Sequence, residues 1–203
     1  MYEVTDLVAD GATVEFDPGT SLLVTGERNE THDILMDLLA GARSGTSIRI
    51  TTNTNARKTV GGFETRGALS PERIGIVDCT AQDSTEADLP VPVRYLNSPG
   101  DLTGISLEFA KLIREFGAER SRIHIGFSTI STVLMYADTE TVFRFLHVFT
   151  SRIRTGDWFG VFALDPEMHE DQTVNTVRAV FDCEAVVENG DVDLRGDGFR
   201  ERD

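Results

Sequence analysis

Short apolar runs of strand length alternate with longer segments whose apolar residues recur at helical spacing. This alternation limits the possible folds more than any other feature. The runs are SLLVTG (21–26), SIRITTN (47–53), RIGIVDCT (73–80), VRYLNS (93–98), SRIHIGFSTIS (121–131) and WFGVFALDP (158–166). Such runs fit strands buried on both faces. The helical segments carry apolar stripes: Ile34, Leu35, Leu38, Leu39 and Ala42 in the first; Leu102, Ile105, Phe109, Leu112 and Ile113 in the second; Val142, Phe145, Leu146, Phe149 and Ile153 in the third. A further helix is expected over EDQTVNTVRAVFD (170–182). Repeated β-then-α units imply an α/β fold with a largely parallel central sheet, helices on both faces and right-handed crossovers. Strands over 22–25, 74–78, 123–127 and 160–164 are expected to be central. Asn189-Gly190 in CEAVVENGDVDLRG (183–196) predicts a hairpin that adds an antiparallel strand at one edge.

Three stretches stand outside the alternation. NTNARKTVGGFETRGALSPE (53–72) reads as a long excursion without clear periodicity, made flexible by Gly61-Gly62. AQDSTEADLPVP (81–92) reads as an acidic surface loop, and the polar end of the chain reads as a frayed tail over about 196–203. A length of 203 residues suits a single domain over 1–203.

The formal net charge is −15, spread through loops and helices, and lysine occurs only at Lys58 and Lys111. A distributed acidic surface nearly free of lysine points to a high-salt cytoplasm, where screening weakens self-repulsion. The plainer alternative is an acidic protein of ordinary salt. Either way, a surface this negative argues against non-specific nucleic-acid binding, because phosphates need cationic contacts, so no nucleic-acid partner is expected and a recombinase-like DNA-binding role is disfavoured. No apolar run approaches the ~20 residues of a membrane span. MYEVTDLVADG lacks the layout of a signal peptide, so a cytoplasmic location is expected. Cys79 and Cys183 lie inside apolar segments and read as buried, reduced thiols. His32, His124, His147 and His169 include no pair at i, i+4, so no metal site is expected.

The stretch LLVTGERNETHDIL (22–35) has the layout of a phosphate-binding loop between a first strand and a first helix. Such a loop reads G-x-x-x-x-G-K-[ST]. Counted from Gly26, Thr31 stands where the second glycine belongs, His32 replaces the lysine and Asp33 replaces the metal-binding hydroxyl. A neutral imidazole does not do the work of a flexible ammonium, and a carboxylate at Asp33 would repel phosphate. Thr31 reads as the N-cap of the helix, with Asp33 in its first turn.

With SLLVTG, RIGIVDCT and SPGDLTGISLEF, the segment STISTVLMYADTETVFRFLHVFTSRIR (128–154) carries a resemblance. The chain resembles the KaiC-like branch of the RecA superfamily, and more narrowly the single-domain "HTR-like" proteins of haloarchaea. The resemblance implies a three-layer RecA/KaiC-like fold. It also implies where ATP hydrolysis would be carried out: a lysine and backbone amides around the phosphates, a glutamate at the end of the second strand, and a metal-organising aspartate before the Ser-Leu-Ser-like turn. Here the second strand runs into TTNTN (51–55) with no carboxylate, and the aspartate's position is Ser128. Three separate segments thus depart from the pattern. The expectation is a pseudo-ATPase with no catalytic residue, no bound ATP or magnesium, and a regulatory or scaffold role through other proteins.

Asp78 and Asp165 stand at strand ends, the edge where ligands bind in open α/β sheets. With Asp33 they would make an acidic site; solvated carboxylates are the simpler reading. Ser128, Thr129 and Ser131 read as polar turn residues. On the helix from Thr139 to Arg154, Phe143 and Val148 fall on opposite flanks of the apolar stripe. That fits either a deeply wedged helix or a subunit interface, so a homo-oligomer stays open. The alternative function is nucleotide binding with altered phosphate contacts, drawn from Arg28, Arg57, Lys58 or Arg66 and from helix N-terminal amides.

Overall fold

The computed structural model describes residues 1–5, 7, 13–40, 45–68, 70–80, 89–117 and 122–202. In the main sheet, β3 (Ser21–Thr25), β4 (Thr46–Thr51), β5 (Ile74–Asp78), β7 (Ile123–Phe127) and β8 (Phe159–Leu164) are buried along their whole length. Continuous burial is what two covered faces demand. With β6 (Val93–Tyr95), β9 (Cys183–Glu188) and β10 (Asp191–Gly196) they form eight strands in the order β10-β9-β3-β8-β7-β4-β5-β6. Every neighbouring pair is parallel except β9 with β10. Asn189 and Gly190 take φ of 55° and 84°, which gives that hairpin its tight turn. Of the strands expected to be central, β5 sits one position in from the edge, and β4 takes its place.

Helices α1 (Arg28–Ala40) and α2 (Ala56–Thr65) cover one face. Helices α3 (Leu102–Glu115), α4 (Ile130–Leu134), α5 (Thr139–Thr155) and α6 (Asp171–Arg178) cover the other. The second layer is rich in aromatics: Phe109, Phe127, Phe149 and Phe162 meet with ring centroids 4.9–6.5 Å apart. These are the three layers expected.

Several local expectations fail. Residues 56–65 are helix α2, not an excursion: Ala56, Thr59, Val60 and Phe63 form its buried stripe, and the Asn55 side chain accepts from Lys58 N at 2.9 Å. At Gly62 the two helices come close: a Cβ there would stand 3.0 Å from Met36 Cε on α1. Thr31 is not an N-cap. It lies inside α1, buried, with its hydroxyl on Arg28 O at 3.1 Å. Residues 130–134 form the short helix α4, not a turn. The tail expected to fray contains β11 (Phe199–Arg202). It pairs with β2 (Thr13–Phe16), which also pairs with β1 (Tyr2–Thr5), in a separate antiparallel sheet β1-β2-β11. That sheet packs against the N-terminal ends of β7 and β8: Tyr2 lies 4.8 Å from the His124 ring and 5.4 Å from Phe159. It thus lies at the end of the main sheet away from the strands' C-terminal edge. Ala42 and residues 81–88 of the expected acidic loop lie outside the described residues.

Candidate functional site

The three departing segments meet at the C-terminal edge of the main sheet. β3 ends at Thr25, and α1 begins at Arg28, so only Gly26 and Glu27 join them. Most of what reads as a phosphate loop is therefore helix. Thr31 N donates to Glu27 O at 3.0 Å, an intrahelical bond that removes one amide from any cradle. Gly26 has a structural reason of its own. Its φ is 153°, and a Cβ would stand 2.6 Å from Val187 O on β9.

Behind that turn lies Arg49, a residue not singled out from the sequence. Ile48 and Ile50 face the α3/α5 layer, so alternation turns Arg49 toward α1 and α2. It is fully buried. Its Nη2 stands 3.5 Å from His32 Nδ1 and 3.4 Å from Ser128 Oγ. Ser128 Oγ in turn donates toward Asn53 Oδ1 at 3.1 Å, with Thr51 Oγ1 at 3.3 Å. Thr52 Oγ1 donates to Thr129 O at 3.0 Å, and Thr51 Oγ1 donates to Thr54 O. His32 on α1 and Ser128 at the end of β7 are thus tied through one guanidinium, and Ser128 carries the link on to Thr51 and Asn53. Burial, with Arg66 nearby, pushes Arg49 down to about 9, so it stays protonated at neutral pH. Its Nε and Nη1 have no hydrogen-bond partner among the described residues. Burial and the Arg49 charge lower His32 as well, which holds the imidazole neutral with Nδ1 as acceptor. An arginine inside an apolar run is a signal the sequence does carry, at SIRIT.

Asp33 is not part of this cluster. Its side chain is 69% exposed and pairs with Arg66 at 3.2 Å, while Arg66 also holds Asp37 at 2.6 Å. The repulsion expected from Asp33 is therefore offset, and Arg66 is engaged away from the turn. Arg28 reaches Met168 Sδ at 3.7 Å.

The strand-end carboxylates do not converge. Asp78 and Asp165 are three strand spacings apart, about 14 Å. Asp78 is buried and caps α2: one oxygen accepts from Ala56 N at 2.6 Å, the other from Thr80 N and Oγ1 at 2.9 and 2.7 Å. Asp165 accepts from Glu167 N at 3.2 Å, and its own N donates to Ser131 Oγ at 3.0 Å. Both are used in local structure. Among the described residues no cluster of His, Cys, Asp or Glu is arranged to hold a metal.

A crevice of about 530 Å³ opens beside Gly26, lined by Glu27, Glu30, Glu167 and Glu188 against Arg178 and Arg195. Arg178 is committed to buried Glu184 at 2.7 Å and Arg195 to Asp193 at 2.8 Å. Glu30 also accepts from Gly190 N at 2.9 Å, which latches the β9–β10 hairpin over the turn. Its balance of charge disfavours a polyphosphate.

Cys79 and Cys183 are free and buried, both pushed up to about 12, chiefly by burial. Such thiols are inert. No helix among the described residues is long and apolar enough to cross a membrane.

The profile of a "Family of unknown function (DUF7504)" matches residues 19–188. No curated protein matches the sequence. Among solved structures, the KaiC-like protein PH0186 from the hyperthermophilic archaeon Pyrococcus horikoshii OT3 superposes with a TM-score of 0.60 at 11% identity. The match covers 88% of this chain and 78% of that one. At that identity the likeness is one of fold.

Proposed function

The chain belongs to the DUF7504 family and has a KaiC-like fold, and from these premises we propose that it is a non-catalytic pseudo-ATPase. In this reading it is a regulatory or scaffold protein that acts by binding other proteins in a high-salt cytoplasm. The observation that carries the reading is the Arg49 network. Where a lysine and a metal-organising aspartate would be needed, the chain places His32 and Ser128 against its own buried cation, and where a glutamate would be needed it places Thr51 and Asn53, which meet Ser128. The short turn at Gly26 supports it further, since a cradle of free amides would require unwinding the first turn of α1.

Nucleotide binding with altered contacts is a second reading, favoured by one observation: Arg49 holds two nitrogens without partners among the described residues. A calorimetric titration of the protein in molar KCl with ATP, ADP and GTP plus magnesium separates the two. No heat of binding and no phosphate release are expected. Magnesium-dependent turnover that disappears in His32→Ala would overturn the proposal; saturable binding without turnover would establish the second reading.

A further inference from the structure

On the face away from the Arg49 network, α3 and α5 leave a trough of about 690 Å³ between them. Its floor is apolar, formed by Phe109, Ile113 and Trp158. Val148, from α5, stands on its wall 54% exposed. This is one of the two off-stripe positions that fit either a wedged helix or an interface. The other, Phe143, packs against the core.

Charge sets the trough apart from the rest of the molecule. The chain has 34 acidic residues against 19 lysines and arginines, yet among the described residues none that lines the trough is acidic. Arg114 from α3 and Arg152 from α5 line it, and neither forms an ion pair among the described residues. The lining positions on α5 run from His147 to Thr155, roughly two helical turns or ~12 Å. Two neighbouring helices with an apolar furrow and a cationic residue on each are shaped to accept a third helix by ridge-into-groove packing.

We propose that this trough receives an acidic amphipathic helix from a partner protein, its apolar stripe on Phe109, Val148 and Trp158 and its carboxylates on Arg114 and Arg152. The assignment deepens the reading of the chain as an interaction platform and rests on it.

Trp158 is the single tryptophan of the chain, so its emission reports on the trough directly. The probe is a set of 18-residue synthetic helices with leucine and phenylalanine on one stripe and glutamate on both flanks. A matched set has lysine in place of glutamate. The acidic set is expected to shift Trp158 emission saturably, and the lysine set to bind at least about tenfold more weakly. Val148→Glu, and separately the pair Arg114→Glu with Arg152→Glu, should each weaken the acidic set about tenfold or more. These positions are exposed, so folding is expected to survive, and circular dichroism checks it. Equal binding of the two sets, or no response of Trp158 to any member, overturns the proposal. So does a sedimentation change from dimer to monomer in Val148→Glu, which would make the occupant a second copy of this chain. A nucleotide titration of the same sample keeps the two ideas apart. ATP turnover would sink the pseudo-ATPase reading alone, and silent peptides without ATP binding would sink the trough alone.

Discussion

Arg49 is a cation enclosed without an ion pair among the described residues, and such burial costs several kcal/mol even when neighbouring dipoles help. Replacing it with methionine, close in length and apolar, should therefore raise the unfolding free energy by about 1–3 kcal/mol in urea melts at neutral pH. A destabilised Arg49→Met would mean that the contacts to His32 and Ser128 outweigh desolvation. His124 makes an opposite kind of test. It is enclosed by Tyr2 and Phe159, and burial, with the Arg122 charge, pushes it down to about 4 from 6.5. Between those values the unfolded chain binds a proton that the folded one refuses. Stability should therefore fall as pH drops from 6.5 toward 4 and stop falling below it. The gap of 2.5 units corresponds to about 3 kcal/mol. His124→Phe should lose about that much less than wild type over the same range. Parallel stability–pH curves for the two proteins would refute it.

At the scale of elements, β11 decides how much of the chain's polar end belongs to the fold. It pairs with β2, its Phe199 ring lies 6.2 Å from Phe16, and Arg202 neutralises the buried carboxylate of Glu15. Ending the chain after Gly196 would strand that carboxylate. The expected loss is about 2–4 kcal/mol, read as a lower urea midpoint, and an unchanged midpoint would show that the strand is dispensable. This strand also shows what the sequence could convey. Strands buried on both faces announce themselves as apolar runs, and β3, β5, β7 and β8 were legible for that reason. FRER has one apolar residue in four, and its pairing rests on backbone hydrogen bonds, one ring contact and the ion pairs of Arg200 with Asp17 and Arg202 with Glu15, all with a segment far away in sequence. Local pattern has no access to that. Helix α2 is a different case: its Asn cap and its Val60–Phe63 stripe were present, but two glycines obscured the period. Of the candidate site, His32 and Ser128 were found by position against a known pattern. Arg49 was missed because no pattern asks for it, and Asp33 was misread because its partner Arg66 is more than thirty residues away.

For the molecule as a whole, charge is the dominant long-range property. At −15, self-repulsion should lower the melting temperature in dilute buffer, and molar KCl should raise it by several degrees or more as screening shortens the reach of each charge. A melting temperature independent of salt would remove the high-salt reading. The order of the strands has a consequence of another kind, in time. β3 lies between β8 and β9, and the edge of β2 away from β1 pairs with β11, so these early strands wait for neighbours that are made late. Roughly 190 residues separate the partners β2 and β11; at ~5–20 residues per second that is a wait on the order of 10–40 s during synthesis. During that interval the nascent chain holds one edge of β2 open, and for most of it both edges of β3. A strongly negative chain repels its own copies on a crowded polysome. The charge that strains the finished fold thus also guards the unfinished one while its edges stand unpaired.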